Sequence, residues 1–106
     1  MTKQATVTIP GASGTRYRFD VFPWGTPFQR FGAAYSVLKQ QPGGRYSILY
    51  IGRTADMSAR FDNHHDDACF RRHGRTHIGV HPEPSEARRR AIETDLIRGN
   101  RTPCNG

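Results

Sequence analysis

Among the side chains that can hold a metal, move a proton or grip an anion, a few have informative spacing. Glu93 lies in the run Ala-Ile-Glu-Thr-Asp-Leu-Ile that ends at Ile97. On an ideal helix Leu96 and Ile97 stand at i+3 and i+4 from it, so its carboxylate belongs to an apolar, inward-facing arc. A buried carboxylate demands a cation. Either Arg89 or Arg90 supplies one in a within-helix ion pair, or a metal ion does. One carboxylate with several waters suits Mg²⁺ or Mn²⁺ rather than zinc. Arg60 and His64, four residues apart, share a helix face beside Met57 and Phe61. His64 can serve as a base or proton relay, because imidazole titrates near neutral pH. Tyr35 and Tyr50 carry phenols with an ordinary pKa of about 10, poor bases unless a cation lowers them. Aromatic side chains in strands also simply fill cores.

A second group is His64, His65, Asp66, Asp67, Cys69, His73 and His77. The spacing His64-x4-Cys69-x3-His73 matches no standard zinc pattern. A solvated, His-rich loop is the preferred reading.

Composition narrows the partners. The chain has 106 residues, 35% hydrophobic and 24% charged, which fits one ordinary globular domain. No apolar run is long enough for a transmembrane helix, and the leader lacks the apolar stretch of a signal peptide. The expected location is the cytoplasm, away from membranes, where Cys69 and Cys104 are expected as free thiols. Net charge is +7, and of 16 cations only Lys3 and Lys39 are lysines. Arginine forks match phosphate oxygens in pairs. The excess points to a polyanion partner, although a GC-rich genome would also raise arginine content.

The elements that must position these groups are set by period and punctuation. Residues 1–16, rich in Thr, Gly, Ser and Pro, read as a flexible or loosely paired leader. Tyr17–Phe22 alternates as a strand. Ala33–Leu38 and Tyr46–Ile51 are strands joined by the Gln41-Pro42-Gly43-Gly44 turn, making a β-hairpin that Gly52 ends. In the second of these strands Tyr46, Ile48 and Tyr50 are expected on one face, with Leu49 and Ile51 on the other. Thr54 or Asp56 caps a helix over 56–64. Residues 65–75 show no period. Thr76–His81 is a short strand. Ser85 caps the longest helix, Glu86–Arg98, and Gly99 stops it. The expected fold is α+β: a small, mainly antiparallel sheet of three or four strands flanked by helices.

At the hairpin the sequence resembles the GIY-YIG nuclease family. Ala33-Ala34-Tyr35 and Tyr50-Ile51-Gly52 resemble its two naming motifs, with Ala-Ala in place of Gly-Ile. Arg60 stands eight residues after Gly52, where the family's first helix carries an Arg, and His64 comes one turn later. Glu93 opens a Glu-x-x-Leu-Ile-like run, and Pro103-Cys104-Asn105 resembles the closing Pro-x-Asn. The likeness covers about residues 31–105, which divides the chain into a leader of residues 1–30 with an added strand and a domain over 31–106.

The resemblance implies a metal-dependent endonuclease that hydrolyses nucleic-acid phosphodiesters, DNA being the expected substrate. It implies Mg²⁺ or Mn²⁺ at Glu93, Tyr35 helping to activate or orient the attacking water, and Tyr50 binding phosphate or metal-bound water. Arg60 would clamp the scissile phosphate, with His64 as base or relay. His73 is a candidate for an extra catalytic or phosphate contact. Asn105 would bind a phosphate oxygen or fix Glu93, unless it is only a loop residue. Arg53, Arg60, Arg71, Arg72 and Asn105 are the expected nucleic-acid contacts, and Arg75 and Arg88–Arg90 are further candidates for tracking the backbone. The resemblance also implies a protein partner or further domain supplying specificity. Two competing readings are a basic nucleic-acid-binding module that does not cut and a zinc-stabilised interaction domain.

Overall fold

In the computed structural model of the chain, residues 3–59 and 66–105 are described. Five strands, β1 (Ala5–Pro10), β2 (Arg16–Pro23), β3 (Ala33–Gln40), β4 (Tyr46–Thr54) and β5 (His77–Pro82), form one sheet in the order β1-β2-β5-β3-β4. Every neighbouring pair is antiparallel. Two α-helices accompany it, α1 (Asp67–Arg72) and α2 (Glu86–Gly99). The fold is α+β, as the sequence predicts, with five strands rather than three or four. The extra strand comes from the leader. Ala5-Thr-Val-Thr-Ile alternates polar and apolar residues, and its inward face reaches full burial at Ile9. That period of two is present in the sequence, but the Gly-Ala-Ser-Gly turn behind it suggests a loose segment instead.

Two other boundaries differ from expectation. β4 runs past Gly52 to Thr54. α1 occupies part of the aperiodic stretch, because six residues with one buried side chain, Phe70, are too short to show a helical period. Asp56 does act as a cap: its Oδ1 accepts from the Ser58 amide at 2.9 Å, and Met57–Ala59 form a 3-10 turn. The remainder of the expected 56–64 helix falls mainly outside the described residues. Ser85 caps α2 as expected, its hydroxyl accepting from the Arg88 amide at 3.3 Å. Gly99 is still helical, and Asn100 is the cap.

Six consecutive residues of β3, 33–38, are buried. A strand with both faces buried needs cover on both sides. On one face Tyr35, Val37, Leu49, Met57, Phe70, Ile78 and Val80 cluster, with Phe70 bringing α1. On the other, Ala34, Ile51, Ile9 and Phe19 meet Ile92 and Leu96 of α2. A bulge interrupts the β3–β4 ladder. Val37 pairs with Tyr50 but Leu38 with Ile48, leaving Leu49 as the extra residue of β4. The bulge breaks strict alternation: Leu49 joins Tyr50 on the α1 face, and Ile48 joins Ile51 on the α2 face.

Asp95 pins the leader to α2. Its carboxylate accepts from the Ser13 amide (2.8 Å), the Ser13 hydroxyl (2.6 Å) and the Tyr17 phenol (2.7 Å). These donors hold the Asp95 pKa below the usual carboxylate range. Cys69 and Cys104, expected as free thiols, form a disulfide with Cα atoms 5.8 Å apart. The pairing arises because the C-terminal tail returns along β4 to α1, which two isolated cysteines cannot announce. Closing a loop of this length, 35 residues in separation, stabilises a fold by about 3–4 kcal/mol in the chain-entropy picture. No helix among the described residues is long and apolar enough to cross a membrane.

Two buried polar groups are expected to affect stability. The Ser36 hydroxyl is fully buried and lacks a hydrogen-bond partner among the described residues. Ser36→Ala is therefore expected to raise the free energy of urea unfolding by about 1 kcal/mol, because an unsatisfied buried hydroxyl is lost with little volume. His77 is buried, and desolvation holds its imidazole pKa below the ordinary 6.5. The unfolded chain then takes up that proton before the fold does, so stability falls as pH drops below 6.5 toward the lowered value and this contribution is flat above. A His77→Gln variant should show a shallower loss of Tm than the parent across that window; equal slopes would refute the assignment.

Candidate functional site

Two pairs of side chains flank adjacent residues of β4, one pair on each face of the sheet. Tyr35 pairs across the ladder with Gly52. The Tyr35 and Tyr50 ring centroids lie 6.0 Å apart, and Tyr50 meets the Phe70 ring edge-on at 5.3 Å. Gly52 makes this possible by lacking a side chain. A Cβ built there would fall 2.5 Å from the Tyr35 phenol oxygen and 2.7 Å from Tyr50 Cε2. The requirement is for space, since Gly52 is not among the glycines with positive φ. Tyr35 is 0% exposed whereas Tyr50 is half-buried. Of the two, Tyr50 is the more exposed to solvent.

Arg53, the next residue, points the other way. It stands opposite Ala34, which belongs to the cluster containing Ile92 and Leu96 of α2. From that helix Glu93 reaches out, and Arg53 Nε lies 3.2 Å from Glu93 Oε1. Their side chains are 36% and 22% exposed, so the pair is reachable from solvent. The Arg53 Nε is nonetheless buried and makes no aligned hydrogen bond among the described residues, so its contact with Glu93 is loose. The cation beside Glu93 thus comes from β4 and not from its own helix. Arg89 is buried and donates to the carbonyls of Glu83 and Pro84, both at 2.9 Å, so it leaves the set of residues available to nucleic acid. Arg90 instead sits 4.0 Å from Glu86.

The C-terminal tail straps the outer edge of β4. The Cys104 amide donates to the Leu49 carbonyl at 2.9 Å. Asn105 Oδ1 accepts from the Ile51 amide, and its Nδ2 donates to the Ile51 carbonyl, each at 2.8 Å. Both ends of the amide are held by the edge strand rather than by Glu93. Among the described residues the strap reaches Ile51, one residue short of Gly52.

The other expected residues separate clearly. Arg60 and His64 lie outside the described residues. Arg71 pairs with Asp67 at 2.8 Å on the exposed side of α1, and Arg72 is exposed. Arg75 stacks over the Trp24 ring at 4.4 Å. The structure therefore brings Tyr35 to Tyr50 and Arg53 to Glu93, with the two pairs meeting through the backbone at Gly52–Arg53. It also brings Cys69, His73 and Cys104 together, with their ligand atoms within 4.8 Å of one another. Local spacing could not reveal this group, because Cys104 joins it only through the tail.

Gly52→Ala is expected to destabilise the fold by about 1–3 kcal/mol, since the fully buried Tyr35 phenol has no room to retreat. Urea unfolding checks it, and a change below 0.5 kcal/mol, roughly the size of a neutral surface substitution, would show that the phenols do not need the slot.

No protein-family model matches the chain, and neither a curated protein nor a solved structure matches it.

Proposed function

We propose that this chain is a metal-dependent endonuclease of the GIY-YIG type, hydrolysing nucleic-acid phosphodiester bonds, with DNA as the expected substrate. One observation supports the reading: the paired phenols and the Arg53–Glu93 pair flank neighbouring residues of an edge strand, one pair from each face of the sheet. Phosphodiester cleavage needs a positioned phosphate, a positioned water and compensation of growing negative charge.

Glu93 is the residue that would hold Mg²⁺ or Mn²⁺. A single carboxylate partly open to water suits a hard cation that keeps most of its hydration. The misaligned Arg53 contact agrees with this fit, because a loose partner leaves the carboxylate oxygens accessible. When bound, such an ion neutralises charge at the phosphate and makes water more acidic. Arg53 binds a non-bridging phosphate oxygen. Tyr50, the more exposed residue of the pair, orients the attacking water or passes on its proton. Tyr35, enclosed, holds Tyr50 in place from behind the Gly52 slot. Arg60 and His64 enter on the resemblance alone, as phosphate clamp and proton relay. The same resemblance gives products with a 5′-phosphate and a 3′-hydroxyl.

Exposed arginines such as Arg71 and Arg72 add backbone attraction without reading sequence. A protein partner supplying specificity fits a catalytic module of this size. A cytoplasmic location belongs to the proposal with one adjustment. A disulfide in a reducing compartment is a transient, redox-responsive feature.

Cleavage of plasmid, branched DNA and RNA in Mg²⁺ or Mn²⁺ tests the reading. The parent is expected to cut at least one of them. Glu93→Gln should lower the rate by more than the roughly 10–100-fold that loss of an outer-shell partner of a metal costs, while nucleic-acid binding persists. Tyr50→Phe should slow cutting more than Tyr35→Phe. Binding without cutting by the parent would favour the non-cleaving module instead, and a fully active Glu93→Gln would dismiss the site.

A further inference from the structure

We propose that Cys69, His73 and Cys104 form a zinc site when the disulfide is reduced, so that bridge and metal are alternative fastenings of one tail. Three donors of the types zinc prefers come from two elements. Cys69 and His73 are four residues apart, the first inside α1 and the second its C-cap, so both face one side. Cys104 arrives from the tail that straps β4. Their ligand atoms lie within 4.8 Å of one another, with Cys104 buried and the other two half-buried.

The geometry needs little change. Zinc binds thiolate sulfur at about 2.3 Å and imidazole nitrogen at about 2.0–2.1 Å, so tetrahedral ligands stand about 3.5–3.8 Å apart. The two sulfurs must part from bonding distance to that separation. The His73 ligand nitrogen, within 4.8 Å of both sulfurs, has about an ångström or less to close. Three protein ligands leave a fourth position for water. No Asp or Glu joins the group among the described residues. A Cys₂His donor set is soft enough to select zinc over Mg²⁺, so the site is distinct from Glu93.

The chemistry balances. A dithiol or phosphine reductant delivers two electrons to the S–S bond, and with two protons this yields two thiols. Zinc capture expels both protons as the sulfurs coordinate as thiolates. In the reverse direction a disulfide such as oxidised glutathione accepts two electrons from the pair of thiolates. With two protons it leaves as two thiols, the Cys69–Cys104 bond reforms, and Zn²⁺ departs hydrated.

The consequence reaches the edge strand. Cys104 and Asn105 hold Leu49 and Ile51, and α1 presses Phe70 onto Tyr50. Either fastening keeps the tail on α1, whereas the reduced, metal-free chain has neither.

The full chain, reduced with a phosphine without oxygen, is titrated with Zn²⁺ against a chromophoric chelator and with Co²⁺ by absorbance. The expected result is one equivalent bound, with a thiolate-to-cobalt charge-transfer band, and none bound by the oxidised protein, which keeps every histidine. His73→Gln, which leaves both cysteines in place, should weaken zinc at least ten-fold, whereas His81→Gln, a histidine outside the group that sits against the Arg18 carbonyl, should not change it. If the reduced chain unfolds without metal, one equivalent of zinc should restore its circular dichroism, and His73→Gln should refold less readily. Equal zinc uptake by oxidised and reduced protein, no stoichiometric binding, no refolding by zinc, or an unaffected His73→Gln would each overturn the proposal.

Discussion

The whole arrangement depends on β3 being an interior strand buried on both faces. Parity alone then divides its residues. Tyr35 and Val37 go to the α1 side, and Ala34 goes to the α2 side. Because Tyr35 and Glu93 serve opposite layers, no pocket within one layer can hold both. Their only meeting place is around an edge, and β4 is an edge strand. Gly52 and Arg53 present successive residues to the two faces there.

The edge is also a liability, since unpaired amides invite a foreign strand. The tail answers it with side-chain and backbone groups. Asn105 imitates a strand residue by bonding both the amide and the carbonyl of Ile51. The bulge at Leu49 turns a carbonyl toward the Cys104 amide. The same bulge thus corrects the register for packing and supplies the anchor for the strap. The disulfide then binds the strap to α1, so edge protection and the placement of Phe70 against Tyr50 share a fastening.

The elements legible in the sequence are those whose pattern is local. The β3–β4 hairpin is announced by Pro42-Gly43-Gly44, where both glycines take the positive φ the turn requires, and α2 by Ser85 and its apolar spacing. β1 has a legible alternation that the turn residues behind it obscure. α1 is not legible, because a six-residue helix owes its existence to Phe70 packing, the Cys69 bridge and Asp67–Arg71 pairing rather than to a period. For the site, the sequence marks Glu93 as a carboxylate needing a cation, but helical spacing directs the search to its own helix. Arg53 supplies the cation across the sheet, a long-range pairing that such spacing cannot encode. Asn105 is marked by its motif for phosphate, and its tertiary role emerges only with the tail lying along β4.

The Arg53–Glu93 pair also constrains how the proposed substrate would enter. Together the two side chains carry no net charge. A phosphodiester arriving alone would place a negative charge beside Glu93, and the repulsion would offset what Arg53 gains. With a divalent cation the local sum becomes positive before the phosphate arrives and stays positive by one afterwards. Under the proposed reading Arg53 would then be free to turn from the carboxylate to the phosphate, at little cost because its Nε is poorly aligned now. A well-formed bidentate pair in the same place would resist that exchange, so the looseness of the contact is what the proposed chemistry requires of it.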